Sequence, residues 1–438
     1  MPDLVTSRIF VDGEKGVTAS KLNQIISGAV IQPEFVSSKP ASATLDPTDQ
    51  LLELKSGSSY ATVTGQQLID SVSASVTQNI TPTIWSVRLR SYNALGNLSF
   101  EVDQATGGGA LTIGAGINTV DRWSAIKVGT MAATAQKRAE LIPVPGTSFC
   151  ITQYYLRITL TTAQASLGTG DALRLNQFLE GIQIRELVSD VTSVQVLVRS
   201  SVSGLKFGVG LKDSANAYAL CKLCTIPSAN TWTLLPLSNI PVFTASGSFP
   251  VSPGATGASF SITLAAGSSL TASSNDVWLA GNYIGATGQD NFASKAANST
   301  FDIAFVQWEP GNQCSTLIDE PFSDRYDRCL RYYTKSYDLP TALGTVTGIN
   351  QMYLTQPVAS NLAFGPLRFP KPMAKTPTIT LYNPATGAAG SIRDGGAVDH
   401  GSAVAGGTGP GGFGSVSFSA NTSAATYIFF HYVADTGW

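Results

Sequence analysis

The sequence predicts an all-β protein, a sandwich or jelly roll, and three observations carry that expectation. Charged residues make up only 13% of the 438-residue chain, against about a quarter in ordinary soluble proteins. Gly, Ser, Thr and Ala fill the space they leave. Between about Ile84 and Pro310, short apolar runs recur between clusters of Gly, Asn, Ser and Pro, the pattern of antiparallel strands joined by turns. The spacing is irregular, which excludes a solenoid. A hydrophobic share of 43% allows sizeable cores, and the length suits about two or three domains.

The elements follow in order. Residues 1–80 read as a small mixed α/β segment. "VTASKLNQIISGAVI" sets Leu22, Ile25, Ile26 and Ala29 on one helical face. "LLELKSGSSYATVT" reads as two strands around a Ser/Gly turn, and "TGQQLIDSV" opens a helix with Thr64 and Gln67 at capping-box spacing. Helices this short are marginal alone in water, so their apolar faces are expected against a partner or other copies of the chain. "SASVTQNITPT" reads as a linker.

Residues 81–310 carry the sandwich. "WSVRLRSY", "NLSFEVDQ", "SAIKVGT", "QYYLRITL", "SVQVLVRSS", "LKFGVGL", "TWTLLPL", "SFSITLA" and "TFDIAFVQW" are read as strands, and "DALRLNQFLEGIQIREL" as the one helix or helical turn. In the last strand, Phe301, Ile303 and Phe305 alternate with Asp302, Ala304 and Val306. A Pro-Gly turn follows, then a charged helix with acids early (Asp319, Glu320, Asp324) and bases late (Arg328, Arg331, Lys335). Residues 311–438 form a C-terminal β-domain with strands in "TPTITLYN", "SVSFSANTS" and "ATYIFFHYVAD". The Gly-rich stretch from Gly390 to Gly414 is expected to be a loop too poor in apolar surface for a core of its own.

Composition excludes several functions. The net charge is −2 and no dense basic tract occurs, so neither nucleic acid nor an anionic membrane is an expected partner. No apolar run reaches the ~18 residues of a membrane span. "MPDLVTSRIFVDGEKG" lacks a basic start and an apolar core, so no export by a signal peptide is expected. The five cysteines do not suggest a disulfide framework without export. Cys221 and Cys224 make a single CxxC, short of a zinc ligand set, in a run that reads as a strand with the two on opposite faces.

Catalytic machinery is not expected. His431 sits in an aromatic strand and reads as a packed side chain. His400, with Asp394 and Asp399, would make a metal site only where copies meet, and a solvated loop is the plainer reading. Carboxylates for glycoside hydrolysis would have to come from Glu101, Asp103, Asp121, Glu180 and Glu186, a reaction that demands a defined separation. Neither cofactor nor metal is implied. Binding fits better. In "NDVWLAGNYIGATG", Trp278 and Tyr283 are suited to stack on a sugar ring and Asn282 to hydrogen-bond its hydroxyls; the alternative is a core Trp278 and a strand-edge Tyr283.

The stretch from Phe301 to Tyr337 resembles a junction found in many phage tail-fibre and related virion proteins. There, a last jelly-roll strand of the form F-x-I-x-x-V-Q-L-E-x-G leads through P-F-E-x-R to Cys-Gln-Arg-Tyr-Tyr. Phe301, Ile303, Val306, Gln307, Glu309, Gly311, Pro321, Phe322, Arg325, Cys329, Arg331, Tyr332 and Tyr333 fall on that pattern. Trp308 and Leu330 depart from it, and Pro310 is inserted. Asp121, Arg122 and Trp123 match the family's Asp-Arg-Trp, and the terminal "FFHYVADTGW" is also similar. The likeness runs from about Ile84 to Trp438.

The resemblance implies a carbohydrate-binding-like jelly roll followed by a C-terminal β-domain. It implies a homotrimeric virion protein of tail-fibre, receptor-binding type, made in the host cytoplasm. Such a protein joins other virion proteins through its N-terminal segment and contacts host cell-surface glycans without catalysis. The alternatives are a head fibre or capsid decoration protein with the same fold, or a polysaccharide depolymerase.

Overall fold

The computed structural model describes residues 92–438, apart from 148, 318–319, 359 and 420–423, and three strands nearer the N-terminus. The chain divides into two compact units, Met1–Arg88 and Leu89–Trp438. In the first, β1 (Ala29–Ile31), β2 (Gln50–Ser56) and β3 (Ser59–Thr64) pair antiparallel in that order. Ser56 faces Ser59 across the expected Ser/Gly turn. Ala29, expected on a helix, opens a strand because it pairs with Leu54. The rest of that helix, the helix expected after Thr64 and the linker lie outside the described residues.

The second unit begins with a jelly-roll sandwich, as the alternation of short apolar runs predicts. One sheet of six strands runs, in spatial order, β13 (Thr233–Ile240), β10 (Thr192–Ser200), β16 (Thr300–Pro310), β8 (Cys150–Thr162), β7 (Ala132–Pro143) and β4 (Leu111–Thr112). The facing sheet of seven runs β15 (Trp278–Ala280), β12 (Tyr218–Ile226), β11 (Leu205–Asp213), β14 (Thr256–Ala266), β9 (Ala172–Glu180), β6 (Trp123–Val128) and β5 (Ile117–Val120). All these pairings are antiparallel. Val194, Val196, Ile303, Phe301 and Trp308 from one sheet meet Trp123, Leu175, Phe207 and Phe260 from the other in one core. Rings interlock across it: Phe260 lies 6.0 Å from Trp123 and 6.2 Å from Trp308, centroid to centroid. Truncating such a buried ring to Ala costs roughly 3–5 kcal/mol.

Three local readings need correction. "NLSFEVDQ" is not a strand but a series of turns, with Asn97 and Phe100 at φ 49° and 57°. The Asn97 side chain closes them, donating to the carbonyls of Val102 (2.8 Å) and Asp121 (2.9 Å). The helix expected at "DALRLNQFLEG" is strand β9, followed by a four-residue helix α1 (Gly181–Ile184). Phe305 does not share a face with Phe301 and Ile303. A bulge between Leu197 and Val198 leaves Ala304 unpaired. It turns Val306 into the main core and Phe305 out to a second cluster with Leu98, Ile142 and Tyr155.

After β16 the charged helix forms, α2 (Phe322–Leu330), with Asp324 in its first turn and Arg328 in its last, but Lys335, expected among its late bases, lies in the following strand. Tyr333 starts β17 (Tyr333–Lys335). The C-terminal sheet is organised by β25 (Tyr427–Asp435). The first half of β25 pairs with β18 (Met352–Thr355) and β21 (Ile392–Asp394), and the second half with β17 and β20 (Thr378–Tyr382). Beyond β18 lie β19 (Leu362–Arg368), β24 (Gly412–Ser417) and β23 (Val404–Gly406), and β22 (Asp399–His400) pairs with β21. The Gly-rich stretch is therefore not a bare loop. Its Ile392 and Phe413 reach the C-terminal core beside Phe430 and Tyr432.

The sandwich and this sheet meet through paired charge. Glu180, fully buried, takes two hydrogen bonds from Arg331 (2.5 and 2.8 Å) and one from the Tyr332 hydroxyl (2.8 Å). The Arg122 guanidinium lies 3.6 Å from the Tyr332 ring centre. Gln104 Nε2 donates to the Tyr333 carbonyl (2.9 Å), and Asn118 Nδ2 to Asp435 (3.0 Å).

Candidate functional site

Strand alternation decides which side chains the seven-stranded sheet turns away from the core. Leu173 and Leu175 of β9 face inward, so Arg174, Asn176 and Phe178 face outward. Phe260, Ile262 and Leu264 of β14 face inward, so Ser259, Ser261 and Thr263 face outward. Cross-strand register assembles these into rows. Lys212, Ser259 and Phe178 form one; Gly210, Ser261, Asn176 and Ser124 the next; Gly208, Thr263, Arg174 and Ile126 the third. The centre of this outer face is thus hydroxyl, amide and cation, where a purely structural sheet would be free to carry any solvated side chain.

These groups are largely unpartnered. Among the described residues, Arg174 Nε and Nη1, Asn176 Nδ2, Ser259 Oγ and Thr263 Oγ1 are buried without a hydrogen-bond partner. Asn176, Ser259 and Thr263 are at most 3% exposed, so these atoms are closed to solvent, and unpaired buried polar atoms occur elsewhere too, on Arg122 and Thr334 for example. Arg174 remains half-buried. Lys212, 4% exposed, donates to Asn216 Oδ1 (2.6 Å) and Asn282 Oδ1 (2.8 Å). Burial, with the Arg174 charge adding to it, brings the Lys212 ammonium down to about 8.

The segment after β15 lies across part of this face. It approaches because two strand positions lack side chains. A Cβ on Gly208 would stand 2.5 Å from Gln289 Oε1 and 2.9 Å from the Ala286 nitrogen, and one on Gly210 3.0 Å from the Ile284 carbonyl oxygen. The sequence-predicted residues separate here. Asn282 is exposed and held by Lys212 on the outer face. Tyr283 packs with Cys221 and Ala286 on the same side. Trp278 faces the interior, its ring 5.4 Å from Phe243 and 5.3 Å from Phe249, its Nε1 donating to the Pro241 carbonyl (3.3 Å). The structure brings together Asn282 and Tyr283 and leaves Trp278 apart.

Arg174 and Asn176 were missed by sequence reasoning, because β9 was read as helical. The two-residue period of Leu173 and Leu175 is the signal that points to them.

Apart from the exposed Glu186, the remaining candidates are accounted for by partners. His400 is 4% exposed, not a solvated side chain, and its Nε2 lies 3.0 Å from Asp394 Oδ2. Asp399 turns instead to Arg393 (2.9 Å). Among the described residues no three His, Cys, Asp or Glu side chains converge on a metal position. His431 bonds Ser336 Oγ (2.9 Å) and the Thr347 carbonyl (3.0 Å). Cys224 lies in the sandwich core and Cys221 on the opposite face of β12, and burial pushes both thiols up to about 12. Asp103 accepts from the Thr106 and Gly108 amides (both 2.9 Å), Asp121 from the Gln104 amide (2.8 Å), and Glu101 from Arg325. A cavity of about 300 Å³ is lined by Asp103, Lys137, Tyr154, Leu339 and Pro340 among others. Its Lys137 already donates to the Glu101 carbonyl and rests 4.2 Å from the Tyr154 ring centre.

No family model matches the chain, and no curated protein matches it in sequence. Solved structures similar to it include the carbohydrate-binding module TmCBM61 in complex with β-1,4-galactotriose, at 13% identity over 50% of this chain and 100% of that one, with a TM-score of 0.24. The enzymatically active domain of bacteriophage CBA120 tailspike protein 4 is similar at 12% identity over 49% of this chain and 22% of that one, TM-score 0.25. A family 11 carbohydrate-binding module from Clostridium thermocellum, in complex with a β-1,3-1,4-mixed-linked tetrasaccharide, is similar at 11% identity over 47% and 96%, TM-score 0.23.

Proposed function

We propose that the chain is a virion protein of the tail-fibre, receptor-binding type that contacts host-surface glycans through the outer face of the seven-stranded sheet. The observation that carries the binding part is Asn282, exposed on this face beside the half-buried Tyr283. A sugar presents ring hydroxyls, which suit the Asn282 amide, and an apolar ring face, which suits the Tyr283 ring. The virion part is supported by the junction from Phe301 to Tyr337. In this reading the N-terminal segment joins the particle, three copies associate, and sugars are bound without being cleaved.

The test is retention of the full-length chain on immobilised bacterial surface polysaccharides. Asn282→Ala should weaken retention about tenfold, the scale of one lost hydrogen bond between well-placed partners, with unfolding unchanged. Retention of this variant at the level of the parent would remove this face from the proposal. Release of reducing ends from a bound polysaccharide would replace binding by hydrolysis. Gold-labelled chain absent from purified particles would end the virion reading, and a monomer in sedimentation would end the trimeric one.

A further inference from the structure

We propose that the outer face of the seven-stranded sheet selects anionic glycans, sugars bearing a carboxylate or sulfate, through Arg174, with Lys212 on the same face. The inference rests on the glycan-binding reading and adds the charge class of the ligand. Removing a cation from water is unfavourable unless a counter-charge replaces the water. Several arginines are given that counter-charge, and Arg122, which has no ion pair among the described residues, is held by the Phe178 carbonyl and Gln183 Oε1 instead. Arg157 and Arg199 share Asp302, Arg325 has Glu101, and Arg331 has Glu180. Arg174 has none among the described residues, and its Nε and Nη1 are buried without an acceptor.

The acids that flank these two cations in sequence are already engaged. Asp171 accepts from Gln164 Nε2 (2.5 Å) and the Gly168 amide (2.8 Å). Asp213 accepts from the amides of Ala217 (2.8 Å), Tyr218 (3.0 Å) and Ser248 (3.0 Å). Lys212 is held by two neutral amide oxygens. The Lys212 charge also lies near enough to Arg174 to be depressed by it. Two cations of like sign are therefore kept on one face, with uncharged groups between them and, among the described residues, no ion pair to either. A guanidinium attracts a carboxylate or sulfate, while the exposed Asn282 is placed for the hydroxyls of the same sugar.

The experiment measures binding of the full-length chain to two matched pairs, polygalacturonate against its carboxyl-reduced form and dextran sulfate against dextran. At least one acidic member should bind about tenfold more tightly than its neutral counterpart, the worth of one charge-assisted contact. The first pair reports carboxylate and the second sulfate. Arg174→Gln should abolish the preference, Arg174→Lys should retain part of it, and Lys212→Gln should reduce it independently of any effect of the first substitution on folding. Equal binding within both pairs, or a preference that survives Arg174→Gln, overturns the inference. Binding confined to neutral members removes the charge selectivity and leaves the glycan reading standing. A lack of binding to all four, with the wider polysaccharide panel also negative, removes both.

Discussion

The two outer faces of the sandwich carry the same kinds of residue and treat them in opposite ways. On the six-stranded sheet, Asp302 takes Arg157 at 2.7 and 2.8 Å and Arg199 at 3.0 Å, and Arg199 also reaches Glu140 at 2.9 and 3.0 Å. The Arg199 guanidinium rests 4.3 Å from the Trp232 ring centre. The network closes on itself, and its hydrogen bonds hold the Glu140 carboxyl below the usual carboxylate range. On the seven-stranded sheet, Arg174 and Lys212 have no such closure. A closed charge network on a sheet surface stabilises the fold. An open one, held by the same backbone geometry, is disposed to be completed from outside.

The largest expected effect tests the closed face. Asp302 is 1% exposed, and Asp302→Ala would leave Arg157 without its acid and Arg199 with Glu140 alone. Breaking a buried pair in this way costs about 3–5 kcal/mol, read as a lowered denaturation midpoint of the full-length chain. Arg174→Met should cost nothing and gain up to about 1 kcal/mol, because an uncompensated cation is replaced by an apolar chain of similar reach. If both substitutions destabilise alike, Arg174 is part of the fold and the contrast between the faces fails.

The next effect concerns the seam, where closure joins the sandwich to the C-terminal sheet. Burial raises the Glu180 carboxyl, but hydrogen bonds from Arg331, the Gly254 amide and the Tyr332 hydroxyl outweigh it and hold the group below its ordinary value. A depressed carboxyl contributes stability that is fully present above its unfolded value and is lost as pH falls through the folded one. The seam should therefore loosen in acid below the ordinary carboxylate range, seen as cleavage near Tyr333 by an acid-active protease. Glu180→Gln should loosen it at neutral pH, by about 2 kcal/mol for the lost charge-assisted bonds, and should flatten the acid dependence. An unchanged cleavage pattern in that variant would show that Glu180 does not secure the joint.

Much of the fold was legible because local and global signals agreed. Strand β16, the Pro-Gly turn and α2 follow from a two-residue period giving way to a helical one. The site was less legible. "LRLNQFLE" is rich in Leu, Asn, Gln and Glu and poor in β-branched residues, so propensity favours a helix. Pairing with β14 on one side and β6 on the other overrides it. That misreading hid Arg174 and Asn176, since a helix would scatter them around its circumference. The bulge at Ala304 was invisible for a related reason, because a single unpaired residue shifts the faces without altering composition. Gly208 and Gly210, by contrast, were readable in retrospect. Glycines at alternate positions of a strand indicate that another backbone lies across that face, and the segment from Ile284 to Gln289 does so.

The smallest effect separates the two cations of the open face by pH. Lys212 is brought down to about 8, first by burial and then by the Arg174 charge, with Asp213 and the Cys221 thiol opposing; that thiol itself stands at about 12 and stays neutral. As pH rises through about 8, Lys212 loses its proton while Arg174 keeps its charge, so affinity for an acidic polysaccharide should fall by a few-fold between about pH 7 and 9 and then level off. Stability should move the other way. The unfolded lysine still binds its proton in this window and the folded one does not, so deprotonation relieves a buried charge and stability rises from about pH 8 towards the ordinary lysine value. The opposed signs exclude a trivial explanation, because alkaline unfolding would lower binding and stability together. Lys212→Gln should remove both slopes, and Arg174→Gln should shift the Lys212 midpoint upward by removing the repulsion. A binding slope that persists in Lys212→Gln would place the titrating group elsewhere and detach Lys212 from the ligand.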